Sequence, residues 1–368
     1  MLTPTFDPHY WAGVPFHFWS AVFFVLGAIV GSFLNVCIYR MPLGESIVSP
    51  PSHCPSCKYI IPWYLNIPLV TWVYLRGRCR NCGAPIAARY FLVELLTAVV
   101  FLGCWLEYGP VSAGLSVVYA LFMAGLIAAT FIDVEHLIIP DEITIGGMVV
   151  GFICSFFLPA LHEQASALGG IKQSLIGMGV GAGVIYAIVR AGKLWLGRHK
   201  IALPAGSRVV FTESALVLPD EVIPYENLFY RGSDAISLQA RTLELVDRCY
   251  REVPIRLTQT SLEIGGEKWN PEDVPHLEAV TDRIVLPREA MGAGDTKFMG
   301  AIGAFLGWKA VFFSIFVSSL AGSAFGVGLI LLGRREWSSQ VYYGPFLAIG
   351  AAVWVFWGEA MVRFWFGF

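Results

Sequence analysis

The chain has 368 residues, of which 56% are hydrophobic and only 14% charged, with a formal net charge of -2 and a mean hydropathy of +0.63. A soluble domain carries about a quarter charged residues, so this composition excludes an ordinary water-soluble enzyme. No basic stripe interleaved with aromatics is present, which excludes a nucleic-acid-binding surface.

Apolar runs near 20 residues, the length needed to cross a bilayer, recur along the chain. The first, about Phe16–Tyr39, has no Lys or Arg before it and no small-residue cleavage site after it. It reads as a retained helix rather than a signal peptide. Further segments fall at about Tyr90–Leu106, Gly114–Ile132, Ile143–Leu158, Ser174–Leu196, Phe298–Leu306, Ala310–Leu332 and Gly344–Phe366. The expected fold class is therefore all-α and polytopic, with about eight transmembrane helices. Five sections follow: 1–39 with the first helix, a polar loop 40–89, helices over 90–198, a polar insert 199–289, and helices over 290–368.

Basic residues orient these segments. Arg40, Lys58, Arg76, Arg78, Arg80 and Arg89 share the first loop; Arg190, Lys193, Arg198 and Lys200 flank the insert; Arg334 and Arg335 follow the seventh segment. On the opposite side Lys172 and Lys309 are the clear cases. The positive-inside rule then makes the polar loops cytoplasmic. Arg76, Arg78 and Arg80 are placed to face lipid phosphates.

The first loop carries Cys54-Pro-Ser-Cys57 and, after 21 residues, Cys79-Arg-Asn-Cys82. Two Cys-x-x-Cys knuckles at this distance predict a structural zinc site, because each brings two thiolates to one tetrahedral ion. Four thiolates leave no open position for catalysis. Redox pairs or disulfides are the competing readings, and a cytoplasmic location opposes disulfides. Cys37, Cys104, Cys154 and Cys249 lack such spacing; the first three read as apolar packing residues.

Asp133 closes the third apolar run, in Phe131-Ile-Asp133-Val-Glu-His136. Glu135 and His136 are expected in a connecting loop, and Asp141 after Pro140 as a helix N-cap with Glu142 in the first turn. Gly177, Gly179, Gly181 and Gly183 imitate a dinucleotide-binding loop. They lie inside an apolar run with no strand before it, so close helix packing is the better reading.

In the insert, runs such as Arg208–Thr212, Ala215–Leu218, Ile255–Thr258 and Ser261–Ile264 alternate apolar and polar residues between turn signals such as Gly265-Gly266. A small β-rich domain is expected, with one helix around Ala240–Arg251. It has no catalytic spacing and reads as an accessory or partner-docking module.

The stretch Arg288-Glu-Ala-Met-Gly-Ala-Gly-Asp-Thr-Lys297 opens the next apolar segment. A carboxylate at the mouth of such a segment is costly and marks function. Gly292 and Gly294 before Asp295 clear space for another backbone. Lys297 either tunes Asp295, meets an acidic substrate residue, or snorkels at the interface.

Gly31-Ser-Phe-Leu-Asn-Val-Cys-Ile-Tyr-Arg40, the paired cysteines, Ile61-Pro-Trp-Tyr-Leu-Asn-Ile-Pro68, Leu75-Arg-Gly-Arg-Cys79 and Arg89-Tyr-Phe-Leu-Val-Glu94 together resemble the type IV prepilin peptidases. So do Phe131-Ile-Asp133 with Ile139-Pro-Asp141, Met291-Gly-Ala-Gly-Asp295-Thr-Lys297, and Ala301–Trp308. The likeness spans the chain apart from the insert. It implies a GxGD-type aspartic protease with Asp133 and Asp295 catalytic, cleaving type IV prepilin and type II secretion pseudopilin leaders at the cytoplasmic face of the bacterial inner membrane. It also implies methylation of the new N-terminus with S-adenosylmethionine, for which no residue identifies itself as a ligand. Pilus or type II secretion machinery and membrane lipid are the implied partners. The alternatives are a protease of this type acting on another membrane protein without methyl transfer, or a zinc-stabilised scaffold or transporter subunit.

Overall fold

The computed structural model describes residues 15–196, 198–219, 221–225, 228–229, 234–245, 248–274, 276–287, 292–332 and 342–366. Arg334, Arg335 and the 288–291 part of the glycine–aspartate stretch lie outside them.

The chain divides into two compact units. The first, 1–186 with 292–368, is helical. Its elements are α1 (Phe16–Arg40), α2 (Val70–Tyr74), α3 (Ala88–Tyr108), α4 (Ala113–His136), α5 (Asp141–Phe157), α6 (Ala167–Leu196, which runs on into the second unit), α7 (Ala293–Leu331) and α8 (Gly344–Phe366). Five of these, α1, α3, α4, α6 and α7, are long and apolar enough to cross a bilayer. α5 has 17 residues, and the described apolar part of α8 spans Gly344–Gly358. The protein is an integral membrane protein by this measure.

The expected segments Phe298–Leu306 and Ala310–Leu332 are two helical runs that meet at the non-helical Gly307, and both carry the label α7. Gly307 stands at φ 77°, a conformation that only glycine adopts without strain. Two further expectations shift by a turn. Glu135 and His136 belong to the last turn of α4 and not to a loop, because the helix closes at Leu137, whose left-handed backbone (φ 58°) returns its N–H to the Asp133 carbonyl. Pro140, not Asp141, is the N-cap of α5, leaving the Asp141 and Glu142 carboxylates in its first turn.

Lipid removes most of the hydrophobic drive between helices, so close backbone approach carries the packing. α6 lies on α7 this way: a Cβ on Gly177 would overlap the Gly303 carbonyl, and one on Gly181 the Met299 carbonyl. The Ser174 hydroxyl adds a bond to the Ala304 carbonyl at 2.9 Å. Gly179 and Gly183 face open space. Only the i, i+4 half of the glycine run is a packing stripe.

The second unit, 187–291, holds one eight-stranded antiparallel sheet in the order β3-β2-β1-β8-β4-β5-β6-β7. The strands are β1 (Arg198–Phe211), β2 (Ala215–Val217), β3 (Val222–Pro224), β4 (Ala235–Glu244), β5 (Cys249–Thr258), β6 (Leu262–Ile264), β7 (Glu267–Trp269) and β8 (Leu277–Pro287). Gly265 and Gly266, at φ 60° and 97°, make the two-residue β6–β7 hairpin that their pairing predicts. The helix expected around Ala240–Arg251 is absent: β4 and β5 cover it. Its Ala, Arg, Leu and Glu favour helix locally, but the burial of Ile236, Leu238, Ala240 and Leu243 follows the sheet and feeds one core with Ile255, Ile264 and Ile284. Packing overrode propensity.

Gly177→Ala should lower the thermal stability of the detergent-solubilised protein by about 1–3 kcal/mol through overpacking. Gly179→Ala should be neutral or gain about 0.5–1 kcal/mol by removing a helical glycine. Equal effects would contradict the α6–α7 packing.

Candidate active site and metal centre

Asp133 and Asp295 come from distant parts of the sequence and meet at one end of the bundle. Asp133 sits in the last turn of α4 and Asp295 in the first turn of α7; they are 7% and 8% exposed. Each is held by a backbone N–H at the start of a helix. Gly344, first residue of α8, donates to Asp133 Oδ2 at 3.1 Å. Gly292, N-cap of α7, donates to the Asp295 carboxylate, which thus reaches back from the third helical position as in a capping box. Free N–H groups and the positive helix end both favour a carboxylate there.

Buried Ile139 joins the two halves. A Cβ on Gly294 would lie 3.5 Å from Ile139 Cβ, and one on Gly344 would lie 3.1 Å from Ile139 Cδ1. The two carboxyl groups are close enough for the charge on Asp133 to act on Asp295. Two buried acids brought near one another in this way have the makings of a base–acid pair.

Sequence reasoning missed Gly344. A Cβ there would come within 2.6 Å of Asp133 Oδ2, so any larger residue would push the Asp133 carboxylate aside. The available signal was Gly344-Pro345 opening an apolar segment, a helix start with free N–H groups. Tyr343 just before it is anchored to α7, its hydroxyl bonding Ser318 Oγ at 2.9 Å and Ser319 Oγ at 3.2 Å. By contrast Gly292 and Gly294 have ordinary backbone angles and would tolerate a Cβ, the nearest atoms lying at 3.7 and 3.5 Å. The folded chain itself does not require them.

Lys297 does not turn to Asp295. Its Nζ binds Asp141 Oδ1 at 2.6 Å and ties α7 to the first turn of α5. Arg89 of α3 pairs with Glu135 of α4 in the same manner. As a solvated pair Lys297–Asp141 contributes under about 1 kcal/mol; the effect of both pairs is to fix helix ends around the aspartates.

The four predicted cysteines also converge. Cys54, Cys57, Cys79 and Cys82 place all four sulfurs within 4.8 Å of one another, with Cys54–Cys82 and Cys57–Cys79 both at 3.9 Å. A tetrahedral zinc with Zn–S bonds near 2.3 Å spaces its sulfurs by about 3.8 Å, so the set fits the ion. The two knuckles repeat one design. Lys58 returns its N–H to the Cys54 carbonyl and Gly83 to the Cys79 carbonyl, both at 2.9 Å and both at positive φ (56° and 72°). The Asn81 amide and the Tyr59 backbone N–H favour the Cys57 thiolate, drawing its pKa down to about 6. We expect one zinc per chain by elemental analysis, and a marked loss of thermal stability on chelation or in Cys79→Ser. Metal-free protein of unchanged stability would contradict the site.

Residues 25–108 match the bacterial peptidase A24 N-terminal domain, and residues 120–218 with 279–327 match the type IV leader peptidase family. Together the two matches take in more than half of the chain. The prepilin leader peptidase/N-methyltransferase of Myxococcus xanthus is 45% identical over 163 residues, 44% of this chain and 45% of that protein. That of Aeromonas hydrophila is 28% identical over 376 residues, 95% of this chain and 94% of its own. The type 4 prepilin-like proteins leader peptide-processing enzyme of Escherichia coli O78:H11 is 41% identical over 168 residues, 41% and 62% of the two chains. The chain thus spans less than two thirds of the Myxococcus and Escherichia proteins in these alignments. No solved structure matches. The chain belongs to the type IV leader peptidase family.

Proposed function

We propose that this protein is a membrane aspartic endopeptidase that cleaves the leader of type IV prepilins or related pseudopilins and methylates the new N-terminus. The observation that carries the reading is the meeting of two buried aspartates, each held by a helix-start N–H, in a chain of this family. The deprotonated aspartate takes a proton from water as the water attacks the scissile carbonyl. The protonated one donates to the carbonyl oxygen and then to the leaving amine. With no side chain on Gly292 or Gly294, a substrate backbone can lie extended against Asp295, which a helical substrate segment must unwind to reach.

The distribution of Lys and Arg supports a cytoplasmic position for this end of the bundle, in the inner membrane of a bacterial cell. The leader and the zinc loop meet there, with pilus or type II secretion machinery downstream. Zinc has a structural role, because four thiolates fill its coordination sphere. Methyl transfer takes S-adenosylmethionine as the donor, which supplies an electrophilic methyl on a cationic sulfur.

Asp133→Asn and Asp295→Asn should each abolish prepilin cleavage, read by the mass of the pilin N-terminus. Near-normal cleavage by either variant would sink the dyad. Gly344→Ala should lower the cleavage rate on the order of 100-fold by displacing Asp133. Gly292→Ala should leave the fold intact and raise the KM for prepilin. The opposite ranking would contradict the geometry.

A further inference from the structure

The helical run that begins with Asp295 in its first turn ends in a second cluster of buried polar groups. That run, 293–306, stops where Gly307 leaves helical geometry at φ 77°, ψ 175°. The last turn before such a break lacks the full i→i−4 ladder, and its carbonyls turn to partners outside the helix. The Ala304 carbonyl finds two. The Ser174 hydroxyl of α6 donates to it at 2.9 Å, and so does the imidazole of His162, in the short turn Pro159–His162 between α5 and α6. Burial draws the imidazole pKa down to about 4, so the ring is neutral at pH 7. A carbonyl only accepts, so the nitrogen turned to it carries the proton. Nε2 is left to accept the Ser155 hydroxyl at 2.9 Å. Nδ1 faces the break: a Cβ on Gly307 would lie 3.5 Å from it. Ser155 and Ser174 are both 0% exposed.

α5 lies beside this run from end to end. Lys297 binds Asp141 at the start of α5. A Cβ on Gly147 would lie 3.2 Å from Ala301 Cβ, and one on Gly151 3.0 Å from Ala304 Cβ. Ser155 then reaches the far end through His162. α5 follows α4 after only Leu137–Pro140, so its place is set closely against Asp133. A helix rises about 1.5 Å per residue, which puts Asp295 about 18 Å along the axis from Gly307. A stiff run of that length carries a shift at one end to the other. The ion pair at the near end is solvated and weak. The far end is buried and hydrogen-bonded, where the loss of one partner strands another. Glycine takes helical angles as readily as positive φ, so the break closes into continuous helix unless something holds it open.

We propose that His162 is a positioning residue for the peptidase site: by holding the Ala304 carbonyl beside the Gly307 break, it sets where Asp295 stands relative to Asp133. It rests on the reading of the chain as an aspartic peptidase that uses these two residues. His162 touches neither aspartate and acts only through the helix between.

The test is prepilin cleavage by the full chain in detergent, with rates expressed per folded molecule and thermal melting recorded beside them. His162→Leu removes both bonds of the ring. It should lower kcat by about tenfold or more with KM within about twofold, because Asp295 is displaced while prepilin binding is untouched. Asparagine carries an N–H at the position of Nδ1, and glutamine at that of Nε2. His162→Asn should therefore recover most of the wild-type kcat, and His162→Gln should not. That comparison decides the matter even where the leucine chain fails to fold. If wild-type protein cleaves prepilin and His162→Leu matches its kcat, or the loss lies in KM, the role of His162 is wrong. Equal kcat in the Asn and Gln chains overturns it as well. Wild-type protein that does not cleave prepilin overturns the peptidase reading itself.

Discussion

A carboxylate at the edge of a membrane has to be met by hydrogen-bond donors, because hydrocarbon offers none. This protein meets Asp133 and Asp295 with the same device, a backbone N–H at the start of a helix: Gly344 for Asp133 and Gly292 for Asp295. Much of the helical unit serves to keep those helix starts in place. Leu137 ends α4 one turn past Asp133, and Ile139 fills the gap between the starts of α7 and α8. The Lys297–Asp141 and Arg89–Glu135 pairs pin the surrounding helix ends, and Tyr343 ties the approach to α8 onto α7. The glycine contacts between α6 and α7 set the approach of the arm that carries Asp295.

Asp133 and Asp295 lie in the parts of the chain that match the leader peptidase family, and the four cysteines in the matched N-terminal domain. The four converging cysteines lie in a loop with little apolar core of its own. The β-sheet unit has a core independent of the helices, consistent with an insertion that leaves the chemistry untouched.

Much of this was legible from residues whose placement is costly or whose spacing is fixed locally. Asp133 and Asp295 stood out because charge in an apolar run needs a reason, and the cysteines because a knuckle is complete within four residues. The strands around Arg208, Ala215, Ile255 and Ser261 showed themselves by alternation. What stayed hidden depends on tertiary placement. The amide that holds Asp133 is a backbone atom 211 positions away and leaves no side-chain signature. The Lys297–Asp141 pair joins two helices whose register no local pattern reveals. β4 and the start of β5 use residues that favour helix, and only a shared sheet core makes them strands.

The central claim is that Asp133 and Asp295 face one reacting carbonyl. Its most direct measurement is the structure of the protein bound to a prepilin-like peptide whose scissile amide is replaced by a hydroxyl-bearing tetrahedral mimic. The account predicts that hydroxyl within hydrogen-bond distance of both carboxylates, with the peptide extended along Gly292 and Gly294. A mimic that contacts only one aspartate, or binds away from both, would contradict it.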